Sequence, residues 1–295
     1  MRRIIFFILI LLLMSSFAYA QKKLEYFKLY SPKEGMSAEE IMQIKYFNKY
    51  SLFANDFQQS GEVFYVEPNG NQRKRNWQRK RITKAGKDGI AYKDMIVMTY
   101  PTEVKGLAVL TWTYEDPNKE QDTWLWIPSL KKSRKVSASN ADDSFMGSDF
   151  TVEEVSTRRF EDETYKLLEE KTFEGYKFDL TGEMKMVNRP CFVIECIPKR
   201  AYWYYSKRIV WVDKELGGAI FEEYYDRNGK LFKTLFREWK WIDISSARKY
   251  PTQQSLVCKD IRTGHYTVIT MKDTKYDQGL DERLFTVEAI SQSRW

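Results

Sequence analysis

Turn residues at short, regular intervals constrain this chain more than any other feature. Between them lie β-type runs at about 57–67, 71–83, 90–100, 107–114, 122–127, 131–137, 164–173, 182–198, 205–213, 218–226, 230–243, 251–261 and 265–276. Hairpin punctuation is clear at Pro68-Asn69-Gly70, Asn188-Arg189, Arg227-Asn228-Gly229 and Arg262-Thr263-Gly264, where Gly or Asn takes positive φ, so antiparallel neighbours are implied. Ala108, Leu110, Trp112 and Tyr114 share one side of their run, as do Ile90, Tyr92, Ile96, Met98 and Tyr100. Val63 to Val66, Trp124 to Ile127 and Ile209 to Val212 are apolar on both faces. Such strands need cover on both sides: in a curved sheet a helix caps one face, and the other lines a hollow or packs on a second layer. Aromatic residues are 16% of the chain, which suits a pleated surface. No repeat or Pro/Gly/Ser linker divides it, so a mainly β, single-domain protein is expected over residues 21–295.

Helices are few. Ser37 and Glu40 form a capping box for a helix carrying Ile41, Ile44 and Phe47. Near the C-terminus, Asp281 is placed to cap a short helix bearing Leu284, Phe285 and Ile290. At the other end, Met1-Arg2-Arg3, the apolar run Ile4 to Met14 and Ala18-Tyr19-Ala20 make residues 1–20 a cleavable signal peptide, with cleavage before Gln21. Eleven apolar residues fall short of the roughly 20 that span a bilayer, so the expected destination is the periplasm, as a soluble protein. Three cysteines, Cys191, Cys196 and Cys258, do not make a disulfide framework. An odd offset sends Cys191 and Cys196 to opposite faces of one strand.

Three segments invite chemistry. Arg73-Lys74-Arg75-Asn76-Trp77-Gln78-Arg79-Lys80-Arg81 is the densest basic run in a chain of net charge +7. Export argues against nucleic acid as its partner. What remains is a charged, edge-protecting strand, or transient contact of Arg73, Arg75, Arg79 and Arg81 with anionic headgroups or an acidic partner. The loop 137–150 is polar and acidic except for Phe145, Met146 and Phe150. It reads either as a flap whose apolar tip closes over a cavity, bending at Gly147, or as a connection pinned by tucking those side chains into the core. Asn140, Asp142 and Ser144 mimic a calcium loop, but Phe145 and Thr151 occupy positions where Gly and Glu are needed. Asp142, Asp143 and Asp149 could gather a divalent ion for lipid ester hydrolysis, although nothing in their spacing requires it. His265 is the only histidine, and no nucleophile elbow, zinc motif or phosphate loop is present. No enzymatic activity, catalytic residue, metal or cofactor is assigned.

The stretch Asp122-Thr123-Trp124-Leu125-Trp126-Ile127-Pro128-Ser129-Leu130-Lys131-Lys132-Ser133-Arg134-Lys135-Val136, followed by Ser144-Phe145-Met146-Gly147-Ser148-Asp149-Phe150, resembles the signature of the outer membrane lipoprotein-sorting-like proteins, the long LolA-like family. The likeness extends to Val104-Lys105-Gly106, Tyr165-Lys166-Leu167-Leu168, Tyr205-Ser206-Lys207-Arg208, Trp211-Val212-Asp213-Lys214, Arg262-Thr263-Gly264-His265 and Leu284-Phe285-Thr286. Phe173 to Gly182 departs from it as an insertion, and Gly217-Gly218 replaces a more apolar turn. The resemblance implies a strongly curved antiparallel sheet, an incomplete β-barrel with a few covering helices, whose hollow takes acyl chains. It implies a periplasmic carrier of a lipid or lipoprotein bound for the outer membrane. The alternatives are an accessory protein of an RND-superfamily exporter, with a membrane transporter as partner, and a metal-dependent lipid hydrolase. On this reading Trp112, Trp124, Trp126 and Trp211 contribute to the lining or its support, and Phe145, Met146 and Phe150 gate it.

Overall fold

The computed structural model describes residues 31–50, 54–116, 118–136, 142–155, 158–245 and 248–292. The expected signal peptide lies outside the described residues. One antiparallel sheet of thirteen strands dominates. Its first half is a meander of β1 (Asp56–Val66), β2 (Gln72–Thr83), β3 (Ile90–Tyr100), β4 (Ala108–Tyr114), β5 (Asp122–Ile127) and β6 (Lys132–Val136). After a long connection the second half starts with β7 (Glu163–Phe173). A two-stranded hairpin of β8 (Tyr176–Lys177) and β9 (Met184–Lys185) interrupts it before β10 (Arg189–Pro198). Then come β11 (Lys207–Asp213), β12 (Ala219–Tyr225), β13 (Leu231–Ser245), β14 (Arg248–Asp260) and β15 (Tyr266–Tyr276).

The two meanders fuse where β15 pairs with β1, in register from Gly61 opposite Met271 to Val66 opposite Tyr266. The strand order is therefore β6-β5-β4-β3-β2-β1-β15-β14-β13-β12-β11-β10-β7. β6 and β7 are left as unpaired edges, so the barrel is incomplete, as expected. The residues between them run from one edge to the other. The tight turns fall where the punctuation placed them, with positive φ at Gly70, Asn188, Gly229 and Gly264. The run 182–198 is the one that divides, because Met186 and Asn188 at positive φ break it between β9 and β10.

The second half of the sheet is covered on both faces and the first half on its outer face, by different means. The long helix Ala38–Tyr50 lies on the inner face of the second half, with Ile41, Met42 and Tyr46 against Phe192, Ile194, Val210 and Val212. Its capping box is formed: Ser37 N donates to Glu40 Oε2 at 2.8 Å, and Glu40 N to Ser37 Oγ at 3.2 Å. On the outer face of that half, the β8–β9 hairpin brings Tyr176, Phe178 and Met186 onto Phe236, Val257 and Trp211. The outer face of the first half is covered by the C-terminal segment. Asp281 caps a 3-10 turn, Glu282–Leu284, rather than the helix itself. The helix is Val287–Ser291, capped by Thr286, and buries Phe285 and Ile290 with Trp112, Trp124 and Trp126. All three cysteines are free thiols. Cys191 faces outward and Cys196 inward, as the odd offset requires, and burial pushes both up to about 12.

Candidate ligand-binding hollow

On the inner face of β1–β5 lies a cavity of about 1190 Å³. It is larger than the roughly 300–1,000 Å³ of pockets that enclose drug-sized ligands. Strand register dictates what faces it. Val63, Arg75 and Ile269 form one row, with Arg75 paired to Val63 and Val63 to Ile269. Trp77 pairs with Met98, and Arg79 with Ile96, which is opposite Val109 and, beyond it, Leu125. One step further, Arg81, Asp94, Thr111 and Thr123 are aligned. All of these belong to the lining, whose apolar part thus runs Val63, Trp77, Ile96, Met98, Val109, Leu125 and Ile269. A polar band closes one end.

The basic run therefore does not sit at a sheet edge. β2 is paired on both sides, and its period of two turns Arg75, Trp77, Arg79 and Arg81 inward while Lys74, Gln78 and Lys80 face outward. Arg81 is only 6% exposed. Arg79 donates to Asp94 from Nη2 at 2.6 Å and from Nε at 3.0 Å, and Arg81 Nε donates to the same carboxylate at 2.6 Å. Arg73 and Arg75 both lie over the Tyr65 ring, at 5.4 and 5.1 Å. Burial alone would push the Asp94 carboxyl up; the charges and hydrogen bonds of Arg79 and Arg81 outweigh it and hold the group ionised. This inward set was missed from the sequence, although alternation of Arg and Trp with Lys, Asn and Gln was its signal.

The floor is a buried ionic cluster between the long helix and strands β7, β11, β12 and β13. Arg208, fully buried, grips Glu163 with Nε at 2.7 Å and Nη2 at 2.5 Å, and reaches Glu222 with Nη1 at 2.7 Å. Arg237, itself part of the lining, donates to the other Glu222 oxygen at 2.5 Å. Tyr205 and Tyr224 donate to Glu163 and Glu222 at 2.8 Å. Burial works against ionised Glu163, but Arg208 beside it holds the carboxyl at about 2. Desolvation acts unopposed enough at Lys45, near Glu222, to bring its ammonium down to about 7.

The connection between the two edges supplies the cover. Residues 144–151 fold back on themselves: Phe145 N donates to Phe150 O at 2.8 Å, with Met146 and Gly147 at positive φ in the bend. Phe145 and Phe150 pack toward Tyr205, Tyr224 and Leu235, and Met146 toward Val63, Tyr65 and Trp77. All three also line the hollow, and Phe150 is tucked into the core. Asp149 is tied down, accepting from Thr267 Oγ1 at 2.7 Å while its carbonyl accepts from Lys233 Nζ at 2.8 Å. Asp142 and Asp143 are exposed. Among the described residues no three His, Cys, Asp or Glu side chains are grouped to hold a metal.

The four indoles named from the sequence are elsewhere. Trp112, Trp124 and Trp126 alternate with Thr111, Thr113, Thr123 and Leu125, which line the hollow, and so point to the opposite face. There Trp112 Nε1 donates to Phe285 O at 3.1 Å, and its ring meets Trp124 at 5.2 Å. Trp211 lies on the outer face of the other half, edge-on to Phe173 at 5.7 Å. These four back the wall or stand behind it. Trp77 and Trp203, not named among the site residues, are indoles of the lining.

A family model described as that of an uncharacterized protein matches residues 91–292, more than half of the sequence. The chain belongs to that family. Its fold is LolA-like. A Vibrio parahaemolyticus domain named for outer membrane lipoprotein sorting is 25% identical, superposes with a TM-score of 0.69, and is matched over 86% of this chain and 98% of its own. A DUF1329 family protein from Desulfovibrio piger (23% identity, TM-score 0.67, 81% and 92% coverage) and a LolA superfamily protein from Nitrosomonas europaea (17%, 0.56, 86% and 99%) share the fold. No curated protein matches. Among the described residues of this LolA-like chain, no helix is long and apolar enough to cross a membrane.

Proposed function

We propose that this protein is a periplasmic carrier that shelters the acyl chains of a lipid or lipoprotein in its hollow on the way to the outer membrane. The observation that carries the reading is an apolar-walled cavity of about 1190 Å³ inside a sheet that stays open between β6 and β7. Each methylene exposed to water costs about 0.8 kcal/mol, so a fatty tail crosses an aqueous gap only inside such a sheath. The open edges allow filling and emptying without breaking a closed ladder. The neighbour named for lipoprotein sorting supports the same reading.

Native mass spectrometry of the purified protein, with lipid extraction, tests this. An adduct of acyl-lipid mass is expected, and Val109→Trp, which fills the wall while leaving the ionic floor intact, should abolish it without unfolding the protein. A lipid-free protein that co-purifies with a membrane transporter would favour the exporter-accessory role instead.

A further inference from the structure

Of the three arginines that β2 turns into the hollow, one is not neutralised by the fold. Asp94 serves Arg79 and Arg81 together, whereas Arg75, half-buried, has no carboxylate partner among the described residues. Its Nη1 donates to the Tyr65 hydroxyl and to the carbonyl of Met146, both at 3.4 Å. Both are long bonds to neutral oxygens, and charge-assisted bonds to an anion are normally near 2.8 Å. Val63 and Ile269 are its row neighbours. A guanidinium stays charged at any working pH, and an apolar surround favours an anion beside it. Its planar fork matches a carboxylate or phosphate with two parallel bonds.

We infer that the cargo is an anionic acyl amphiphile whose acid group binds Arg75, with the tail laid along Trp77, Ile96, Val109 and Leu125. This rests on the carrier reading above and adds the polarity and direction of the ligand. Arg79, about 13 Å further along the strand, is held by Asp94, so the acid group goes to Arg75.

The test is binding of palmitate against hexadecanol, and of phosphatidic acid against diacylglycerol, to the wild-type protein, Arg75→Gln and Arg75→Lys. The acid of each pair should bind about tenfold more tightly than its neutral counterpart, as expected for a charge-assisted pair of bonds. Arg75→Gln should remove that preference while hexadecanol binds as before, and Arg75→Lys should retain part of it. Which acid shows the larger preference separates a fatty acid from a phospholipid headgroup. Equal binding of acid and neutral probes, or a preference that survives Arg75→Gln, overturns the inference and leaves the carrier reading standing. Binding of no probe at all overturns both. If Arg75→Gln loses hexadecanol as well, Arg75→Lys decides: a preference kept supports the assignment, and one lost overturns it.

Discussion

The residue with most at stake is Arg208. Its guanidinium satisfies Glu163 twice and Glu222 once in a buried site, so Arg208→Met leaves two buried carboxylates with fewer partners. A loss of about 3–5 kcal/mol is expected for breaking such a cluster, read as a shift in the urea midpoint. The cluster also sets the acid limit. Glu163 is held at about 2 against an ordinary value of 4.5, so the folded protein binds fewer protons there than the unfolded chain between those values. The stabilisation is complete above about pH 4.5 and is lost as pH falls through about 2. Urea midpoints measured down this range should fall less steeply in Glu163→Gln than in the wild type. Nothing in the sequence around Glu163, Arg208 or Glu222 marks them as partners, because they come from three strands and meet only when the sheet curls onto the helix.

At the scale of elements, local signals were legible where a local bond carries them. The Ser37–Glu40 box starts the long helix as its spacing predicts, and Ser37→Ala should cost about 1 kcal/mol in thermal or chemical unfolding. Asp281 illustrates the limit: its carboxylate does accept from Arg283 N at 2.9 Å, yet it caps a single 3-10 turn, because Phe285 must leave the helix to reach the core. Phe285 is fully buried beneath the outer face of β3–β5. Phe285→Ala should therefore destabilise by about 3–5 kcal/mol and expose the tryptophans behind the wall, a change visible in their fluorescence.

For the whole molecule, the decisive fact is that the sheet curls without closing. Every residue of β6 is exposed, whereas β13 is paired by β12 from Leu231 to Phe236 and by β14 from Lys233 to Ser245. Hydrogen exchange should thus show β6 amides nearly unprotected and β13 amides protected up to global unfolding. Cations at Lys132, Arg134 and Lys135 keep that open edge from pairing with another chain.

Turn chemistry and alternation were enough to place the strands and to sort their side chains into two faces, since both are local properties of a pleated backbone. Periodicity put Ala108, Leu110, Trp112 and Tyr114 on one side of their run and Ile90, Tyr92, Ile96 and Met98 on one side of theirs, but it has no information about which face curls inward. Only the tertiary structure decided that. The C-terminal segment claims the outer face and buries its indoles there, so the inner wall is left to shorter apolar side chains and a row of arginines. Long-range pairing of β15 with β1 and the docking of the Ala38–Tyr50 helix and of Leu280 to Ile290, not any local preference, made the hollow.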